Sequence, residues 1–419
     1  ATCSFIPILP HKKMGLRLNA PQLLRRSVLR CCDFLGVLPR LRWLPEDLGN
    51  PPVIIVDRTG AAVVAELIPK NIGYWVLPVR DEERYLNWQT LIYFLSHLPW
   101  VLTRKVNMLG LYVLSIAYST RASVLVTFID NCSWDKGLSD VTSLRVITIQ
   151  NGLRTVDTIS RKRYDIFLGF SLKDTNAAQG AANEAIPIGS VRLGLAYRER
   201  QAGSTRAENQ SIDILFVSQF RPEFWASPHF EDRLHVDVIK TTLGWIRTLA
   251  AQHRLRVGIA FTSKGPDREA WYQKEKSVYQ ALMEIPFAEY HRERFTRRGF
   301  DCTYAGLFDA RVVVSVSSTL CFEAIGIGKP PVMTTRLFGD VEIEHYDWFP
   351  RQQFHQFMVA PGYESFEHAV LAELAGDREQ RPIDLINKDY YCAFDKESLP
   401  PDRASEIICQ VAKSATLTS

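Results

Sequence analysis

The segment VVVSVSSTLCFEAIGIGKPPVM, residues 312–333, carries the pattern that decides the fold. Its apolar start is typical of a strand buried on both faces, and the run ends at three hydroxyl side chains, Ser317, Ser318 and Thr319. A helix-compatible stretch follows, and the Gly-Lys-Pro-Pro sequence at 328–331 must end it. A strand, a helix and another strand in this order form the repeating unit of a parallel sheet. The segment therefore predicts an α/β domain with a helix that begins at Thr319.

Similar apolar runs alternate with helix-length segments along most of the chain, as in parallel sheets. The strand candidates of the first half are Val53–Val56, Tyr74–Val79, Val124–Ile129, Val146–Ile149, Ile166–Phe170 and Ala185–Ile188. In the second half we expect strands at Ile212–Val217, Arg256–Phe261, Arg311–Val316 and Pro331–Thr334, and helices at Val236–His253 and Arg268–Met283. The polar stretch Arg198–Ser211 between the halves is typical of a linker.

The length of 419 residues is too great for one ordinary core. We therefore predict two Rossmann-like α/β domains with parallel sheets that face a central cleft. The expected divisions are a basic segment at 1–50, a first domain at 51–204, a second domain at 205–384 and a helical tail at 385–419. A hydrophobic content of 46% and a charged content of 23% are those of a globular protein.

The net charge of +4 is unevenly distributed along the chain. Residues 1–50 hold eight Lys and Arg residues against three acidic residues, which gives this segment +5. The segment Leu91–Tyr118 is rich in aromatic residues, and its polar interruptions argue against a membrane span. Together with the basic residues of 12–42 it is compatible with contact with an anionic membrane surface. A pair of core helices beside a solvated basic helix is the alternative interpretation.

Several classes of site lack their signatures in this sequence. The eight cysteines are scattered without a CxxC pair, which argues against a zinc site or a disulfide scaffold. The same cysteine pattern leads us to expect a reducing, cytoplasmic compartment. The first ten residues are apolar and precede the basic ones, the reverse of a secretory signal, so we predict no such signal. GxGxxG, Walker, HExxH, GxSxG and Asp-x-Asp motifs are absent. We predict no obligatory metal and no nucleic-acid partner.

Polar groups follow six of the predicted strands. They are Asp130-Asn131, Gln150-Asn151-Gly152, Gly189-Ser190, Ser218-Gln219-Phe220-Arg221, Thr262-Ser263-Lys264-Gly265 and Ser317-Ser318-Thr319. Ligands of open parallel sheets bind beyond the carboxyl ends of the strands. The six strand ends, distributed over two domains, therefore predict a ligand-binding cleft that includes Gly189.

In the second domain the pattern indicates a phosphate site. The free N–H groups and the dipole of the helix that begins near Ser317, Ser318 and Thr319 favour an anion. Glu323 lies one turn deeper, where it suits the hydroxyl groups of a ribose. Lys264, with the adjacent Ser263, and Arg221 are the candidate cations for the phosphate. A plain serine cap followed by a dipole-compatible glutamate is the alternative.

In the first domain, Asp130 is the candidate catalytic group. A carboxylate at this strand end acts either as a base on an acceptor hydroxyl or as a nucleophile at an anomeric carbon. The neighbouring Asn131, together with Gln150 and Asn151, is expected to orient the acceptor or the sugar. Asn151-Gly152 is also compatible with a simple turn.

The set VTFIDN, ITIQNG, IPIGSVRLG, ILFVSQFR and VSVSSTLCFEAIGIGKP resembles bacterial surface-carbohydrate (O-antigen or capsule) biosynthesis proteins, a family of GT-B glycosyltransferases. These are distantly similar to the β-Kdo transferases and bacterial sialyltransferases, which use CMP-sugars. The resemblance covers about residues 120–335 and implies that Ser317, Ser318 and Thr319 contact the donor phosphate. It also implies that Glu323 lies near the ribose. The His-Pro motif of the sialyltransferases is replaced here by residues 262–266, TSKGP.

The expected function is transfer of a sugar from a nucleotide-sugar to a surface-polysaccharide or lipid-linked glycan acceptor. A CMP-Kdo-like donor is favoured, and UDP- or GDP-sugars are alternatives. The expected location is the cytoplasm, at the inner face of the membrane. Another GT-B enzyme, such as a sugar-nucleotide epimerase or a glycerophosphate transferase, and a non-catalytic scaffold of a polysaccharide assembly complex are the competing interpretations.

Overall fold

The structure is a computed structural model. It describes residues 41–44, 50–58, 60–79, 84–103, 105–128, 134, 138–152, 154, 156–160, 162–202, 212–262, 268–290, 302–329, 331–339, 357–376 and 397–418. Within these ranges the chain forms two α/β domains, each built on a parallel sheet.

The described part of the first domain contains a six-stranded parallel sheet with the order β3-β2-β5-β6-β7-β8. These strands are β2 (Val53–Val56), β3 (Tyr74–Leu77), β5 (Val124–Thr127), β6 (Arg145–Ile149), β7 (Tyr164–Gly169) and β8 (Ala182–Pro187). A separate parallel pair joins β1 (Leu41–Trp43) to β4 (Arg84–Leu86). The helices are α1 (Ala61–Ala65), α2 (Trp88–Ser96), α3 (Leu98–Leu102), α4 (Met108–Ser119), α5 (Leu138–Val141), α6 (Val156–Ser160), α7 (Leu172–Ala178) and α8 (Val191–Gln201).

Both faces of this sheet are buried, because side chains alternate between them along each strand. Ile54 and Leu125 face a core that includes Phe94 and Leu111 of α2 and α4. Val53 and its neighbours on the other face pack against α1 and α8. This two-sided burial explains why the strands read as continuous apolar runs.

The described part of the second domain contains a five-stranded parallel sheet with the order β11-β10-β9-β12-β13. These strands are β9 (Ile212–Val217), β10 (Val257–Ala260), β11 (Ala288–Tyr290), β12 (Ala310–Ser315) and β13 (Pro331–Met333). The helices are α9 (Pro222–Trp225), α10 (Phe230–His253), α11 (Arg268–Met283), α12 (Cys302–Asp309), α13 (Thr319–Gly326) and α14 (Tyr363–Ala375), with a 3-10 turn at Thr335–Phe338.

The last helix, α15 (Pro400–Thr418), packs on the first domain. Ala404 and Ile408 belong to the same core as Val53. Gly194 of α8 permits the approach, because a Cβ atom there would lie 2.3 Å from Cδ of Pro401. The chain thus crosses back to the first domain within the predicted tail. The predicted division at residue 205 lies outside the described residues and stays a prediction.

Most predicted elements are present with small changes at their ends. The strands Val53–Val56 and Ile212–Val217, and the helix Arg268–Met283, have the expected bounds. Helix α10 begins at Phe230, six residues earlier than expected, and Glu231 and Asp232 in its first turn complement the helix dipole. Strands β1, β4 and β11, of three residues each, were not predicted.

Lys329, in the turn that ends α13, has a structural role. Its Nζ donates hydrogen bonds to the carbonyl oxygens of Leu307 (3.0 Å), Phe308 (2.6 Å) and Ala310 (2.6 Å), at the end of α12. Burial, and to a lesser degree the charge of Arg200, lowers the pKa of Lys329 to about 8. The ammonium remains the main form at neutral pH, and it caps the carboxyl end of α12.

Candidate functional site

The strand order of the second sheet places a switch point between β9 and β12. From β9 the chain builds β10 and β11 on one side, and later β12 and β13 on the other. Crevices in open α/β sheets form at such points. Gln219, directly beyond β9, bridges the gap: it accepts from Ser317 N (2.8 Å) and donates to Ser317 O (3.0 Å). The two strand ends are thereby held in register.

Helix α13 begins at this switch point, as predicted. Ser318 is its N-cap, and the hydroxyl oxygen accepts from Leu320 N at 3.3 Å. Ser317 is fully buried, and its hydroxyl also lies within hydrogen-bond distance of Gln219. Ser318 and Thr319 are half-buried and line a cavity, so they are better placed than the Ser317 hydroxyl to meet a ligand.

Glu323, one turn into α13, joins the two domains. Its carboxylate accepts hydrogen bonds from Ser190 Oγ of the first domain (2.5 Å) and from the Tyr304 hydroxyl (2.9 and 3.0 Å). The side chain is only 6% exposed, yet it lines the cavity. Ser190 is also the N-cap of α8. No sequence motif pointed to Tyr304, and sequence reasoning did not predict that the two domains meet at this carboxylate.

A second buried carboxylate, Glu275 of α11, supports the ends of β9 and β10. It accepts from the Ser218 hydroxyl and from Thr262 N (3.1 Å) and Thr262 Oγ1 (3.0 Å). The hydroxyl of Tyr279 lies 2.5 Å from Ser218 Oγ, and burial raises the pKa of Tyr279 well above its usual value. Ser218 and Thr262, two of the predicted strand-end residues, line the cleft and are held in place by hydrogen bonds to Glu275.

The cavity at this edge has a volume of about 660 Å³ and is lined by both domains. The second domain contributes Val217, Ser218, Gln219, Phe220, Arg221, Glu223, His235, Ala260, Phe261, Thr262, Trp271, Thr303, Tyr304, Ser317, Ser318, Thr319, Leu320 and Glu323. The first domain contributes Asn151, Gly152, Arg154 and Arg192. The volume lies in the range of small-molecule sites.

Among the described residues, the cations of the cavity wall are Arg154, Arg192 and Arg221. The Arg192 guanidinium lies 4.9 Å from the ring centroid of Phe128, directly beyond β5. Arg221, predicted as a phosphate ligand, lies 5.1 Å from the ring centroid of Phe224. Arg154 and Arg192 were not predicted, although Arg192 stands in the quoted IPIGSVRLG motif.

The remaining predicted residues of the first domain differ in position. Asn151 lines the cavity, whereas Gln150 lies behind it, with hydrogen bonds to Gly152 O (3.0 Å) and from Phe170 N (2.7 Å). Gly189, at a φ of 89°, forms the turn into α8, a conformation that favours glycine, and it is not part of the cavity lining. Gln150 therefore holds the backbone of Gly152 and Phe170, and Gly189 forms the turn before α8. Neither residue lines the cavity.

Four further predicted residues, Asp130, Asn131, Ser263 and Lys264, lie outside the described residues. Their roles stay predictions. Nucleophilic chemistry by Cys321 of α13 is disfavoured, because burial raises the pKa of its thiol to about 12. Among the described residues there is no group of three or more His, Cys, Asp and Glu that would hold a metal ion. Metal independence likewise stays a prediction.

Ser190→Ala is expected to lower stability by about 2 kcal/mol, because it removes a helix cap and a hydrogen bond to a buried carboxylate. It should also weaken ligand binding, since Glu323 loses a partner on the cavity wall. Thermal unfolding and calorimetric titration would measure both effects. Ser171→Ala is the matched control, since Ser171 caps α7 and bonds Asp174 within one domain. Equal ligand affinity in both variants would contradict a role for the interdomain contact.

No protein-family model matches the chain, and no curated protein matches its sequence. Solved structures match its fold. The wall teichoic acid polymerase TagF is 12% identical with a TM-score of 0.51, over 94% of this chain and 96% of that one. TagF soaked with CDPG is 12% identical with a TM-score of 0.50, over 96% of this chain and 99% of that one. The UDP-GlcNAc 2-epimerase from Methanocaldococcus jannaschii is 10% identical with a TM-score of 0.50, over 85% of this chain and 99% of that one. That structure is a complex with UDP-GlcNAc and UDP.

These similarities establish the fold. The chain has the GT-B architecture, with two Rossmann-like domains, as its sequence predicted. At identities of 10–12% the comparison speaks to fold alone. In the described part of the chain, every helix is too short or too polar to cross a membrane.

Proposed function

We propose that the protein is a GT-B glycosyltransferase that binds a nucleotide-sugar in the cavity between its domains. The observation that carries this proposal is the placement of two kinds of anion-binding group in one cavity. The amino end of α13, with Ser318 and Thr319, belongs to the second domain. Arg154 and Arg192 line the same cavity from the first domain.

A phosphate suits this arrangement on electrostatic grounds. The amino end of a helix offers free N–H groups and the positive end of a dipole. Guanidinium groups bind phosphate oxygens through paired hydrogen bonds and keep their charge at any physiological pH. Negative charge grows on the leaving phosphate as the glycosidic bond breaks, so the same groups stabilise the transition state.

The solved structures with the same fold support a nucleotide-linked ligand. The Methanocaldococcus epimerase is bound to UDP-GlcNAc and UDP. TagF was soaked with CDPG. Since the present cavity lies at the switch point where such folds bind ligands, the donor is proposed to occupy it.

The donor proposed here is a CMP-Kdo-like sugar, with UDP- and GDP-sugars as alternatives. A CMP-Kdo donor carries one phosphate and one carboxylate, whereas a UDP- or GDP-sugar carries a diphosphate. Both donor types therefore present two anionic groups to the arginines, and the base must be identified by binding. The acceptor is proposed to be a surface-polysaccharide or lipid-linked glycan.

In the proposed mechanism Asp130 acts on the acceptor hydroxyl as a base, or on the anomeric carbon as a nucleophile. Asn131 and Asn151 orient the sugar or the acceptor, and Gln150 holds the loop that carries Asn151. Lys264 and the adjacent Ser263 follow β10 and contribute to the phosphate site. Closure of the two domains would exclude water from the activated sugar.

A thermal-shift screen tests the nucleotide proposal. CMP, CDP, UDP, GDP and dTDP are added at equal concentrations to the full chain. We expect one of them to stabilise it by about 2.7 kcal/mol at a hundred times its Kd. A well-folded chain that none of the five stabilises would contradict the proposal. Product analysis then separates the competing reactions, because a transferase needs the acceptor and an epimerase converts the donor alone.

A further inference from the structure

His235 is a buried histidine of the cavity wall that has no role in the proposed mechanism. It is 2% exposed and belongs to α10 of the second domain. One buried stripe of this helix is His235, Ile239, Thr242, Ile246 and Leu249, spaced by four and three residues. An imidazole therefore stands at the head of a stripe that an apolar side chain would also fill. Burial of a polar group is unfavourable unless it is hydrogen-bonded, so the contacts of the ring indicate what it contributes.

Two buried aromatic rings pack against the imidazole. Phe224 of α9 meets it edge to face, with ring centroids 5.1 Å apart. Phe338, in the 3-10 turn beyond β13, lies nearly parallel to it at 6.4 Å. Both phenylalanine side chains are themselves buried. Because protein interiors are close-packed, the imidazole of His235 has little freedom to rotate.

The imidazole holds the backbone directly beyond β9. Its Nε2 atom lies 3.1 Å from the carbonyl oxygen of Gln219. A carbonyl oxygen can only accept, so Nε2 carries the hydrogen and donates it, in the neutral ring and in the imidazolium alike. The hydrogen bond from His235 to Gln219 therefore does not depend on the charge of the histidine.

Gln219 connects this restraint to the start of α13. Its side chain accepts from Ser317 N (2.8 Å) and donates to Ser317 O (3.0 Å). Ser317 directly precedes Ser318, the N-cap of α13. The backbone of Gln219 is thus held by α10, and its side chain holds the backbone that leads into α13.

The residues on either side of Gln219 are also held by side chains. Ser218 Oγ donates to Glu275 and accepts from Phe220 N at 3.1 Å. Phe220 O accepts from Thr262 Oγ1 at 3.2 Å. The three residues beyond β9 are therefore fixed by contacts from α10, α11 and the end of β10. Support of this kind is typical of a preorganised binding site.

We propose that His235 is a positioning residue of the phosphate site. Through Gln219 it fixes the amino end of α13, where Ser318 and Thr319 are placed to receive the phosphate of a nucleotide. This inference rests on the proposed function and deepens it, since it names the side chain that keeps the phosphate-binding N–H groups in place. Without the bond, the backbone at Ser317 can shift, and a displacement of about 1 Å weakens hydrogen bonds to a ligand.

His235→Met and His235→Gln form the test pair. The two new side chains have similar length and both lack the ring, but only glutamine keeps an N–H donor for the carbonyl oxygen of Gln219. The full chain is titrated calorimetrically with whichever of CMP, CDP, UDP, GDP and dTDP binds the wild type best. We expect His235→Met to weaken binding about tenfold, and His235→Gln to bind within about threefold of the wild type.

Thr242→Val is the matched control on the same helix. Thr242 is buried on the same stripe, and its hydroxyl oxygen lies 2.8 Å from Thr334 Oγ1, outside the described cavity lining. The variant removes a hydrogen bond between α10 and the segment beyond β13. It should lower the unfolding temperature and leave nucleotide affinity unchanged. An equal loss of affinity in Thr242→Val and His235→Met would overturn the proposal, because the effect would then belong to the packing of α10.

Gln219→Met keeps the test decisive if His235→Met does not fold. Gln219 is half-buried in a loop, and the substitution removes the side chain that holds Ser317. We expect about a tenfold loss of affinity and no further loss when His235→Met is added. Wild-type affinity in Gln219→Met, or equal affinity in the two His235 variants, would overturn the proposal. A well-folded wild type that binds none of the five nucleotides would instead contradict the proposed function.

Discussion

Arg192→Gln is expected to weaken nucleotide binding about 50-fold. Arg192, on α8 of the first domain, lines the same cavity as the amino end of α13. A hydrogen bond between charged partners contributes about 1.5–3 kcal/mol, and every 1.4 kcal/mol corresponds to a factor of ten in affinity. Glutamine keeps much of the side-chain volume and one donor group, but it removes the charge. Calorimetric titration with the best nucleotide of the screen measures the change.

Arg198→Gln is the control for this variant. Arg198 lies on the same helix, is exposed, and pairs with Asp402 at 2.5 Å, away from the cavity. Exposed ion pairs contribute about 0–1 kcal/mol, so this variant should bind the nucleotide as the wild type does. Unchanged affinity in Arg192→Gln would remove Arg192 from the proposed phosphate site.

Asp130→Asn is expected to lower the rate of transfer about 1000-fold while nucleotide binding is unchanged. Proton transfer by a positioned group contributes a factor of about 10² to 10⁴, and the amide can neither accept the proton nor attack carbon. Asp130 follows Phe128 by two residues, and the Phe128 ring contacts Arg192 on the cavity wall. A transfer assay and a titration on the same preparation give both quantities.

Asp157→Asn is the matched substitution, because Asp157 is an exposed carboxylate of the same domain. It should transfer at the wild-type rate. Wild-type transfer by Asp130→Asn would remove this residue from the mechanism. Loss of nucleotide binding in Asp130→Asn would instead assign it to the donor site.

The sequence predicted the strand-helix-strand units well because local pattern determines them. The apolar run before Ser317 and the Ser318 cap place the start of α13 at Thr319, as the structure has it. The same pattern placed a carboxylate at Glu323 on the inner face of that helix. The bounds of the strand and of the helix can be predicted from one segment alone, because a strand buried on both faces shows a continuous apolar run.

Such local patterns could not predict contacts between segments that are distant in sequence. Ser190 and Glu323 are 133 residues apart, and only the packing of α8 against the second domain brings them together. The same packing places Arg192 on the cavity wall. From the sequence Lys329 could be interpreted only as part of a turn, because its carbonyl partners lie at the end of α12 and at the first residue of β12. Sequence reasoning therefore predicted the start of α13, Glu323 and Asn151, which line the cavity, and missed Arg154, Arg192 and Tyr304.

A crystal structure of the protein with its best-binding nucleotide is the most direct test of the proposed donor site. We expect the phosphate nearest the sugar position to lie within about 3 Å of backbone N–H groups at Ser318 and Thr319, and the Arg192 guanidinium to contact it from the first domain. A nucleotide bound elsewhere, or a phosphate that contacts neither the start of α13 nor Arg192, would contradict the account.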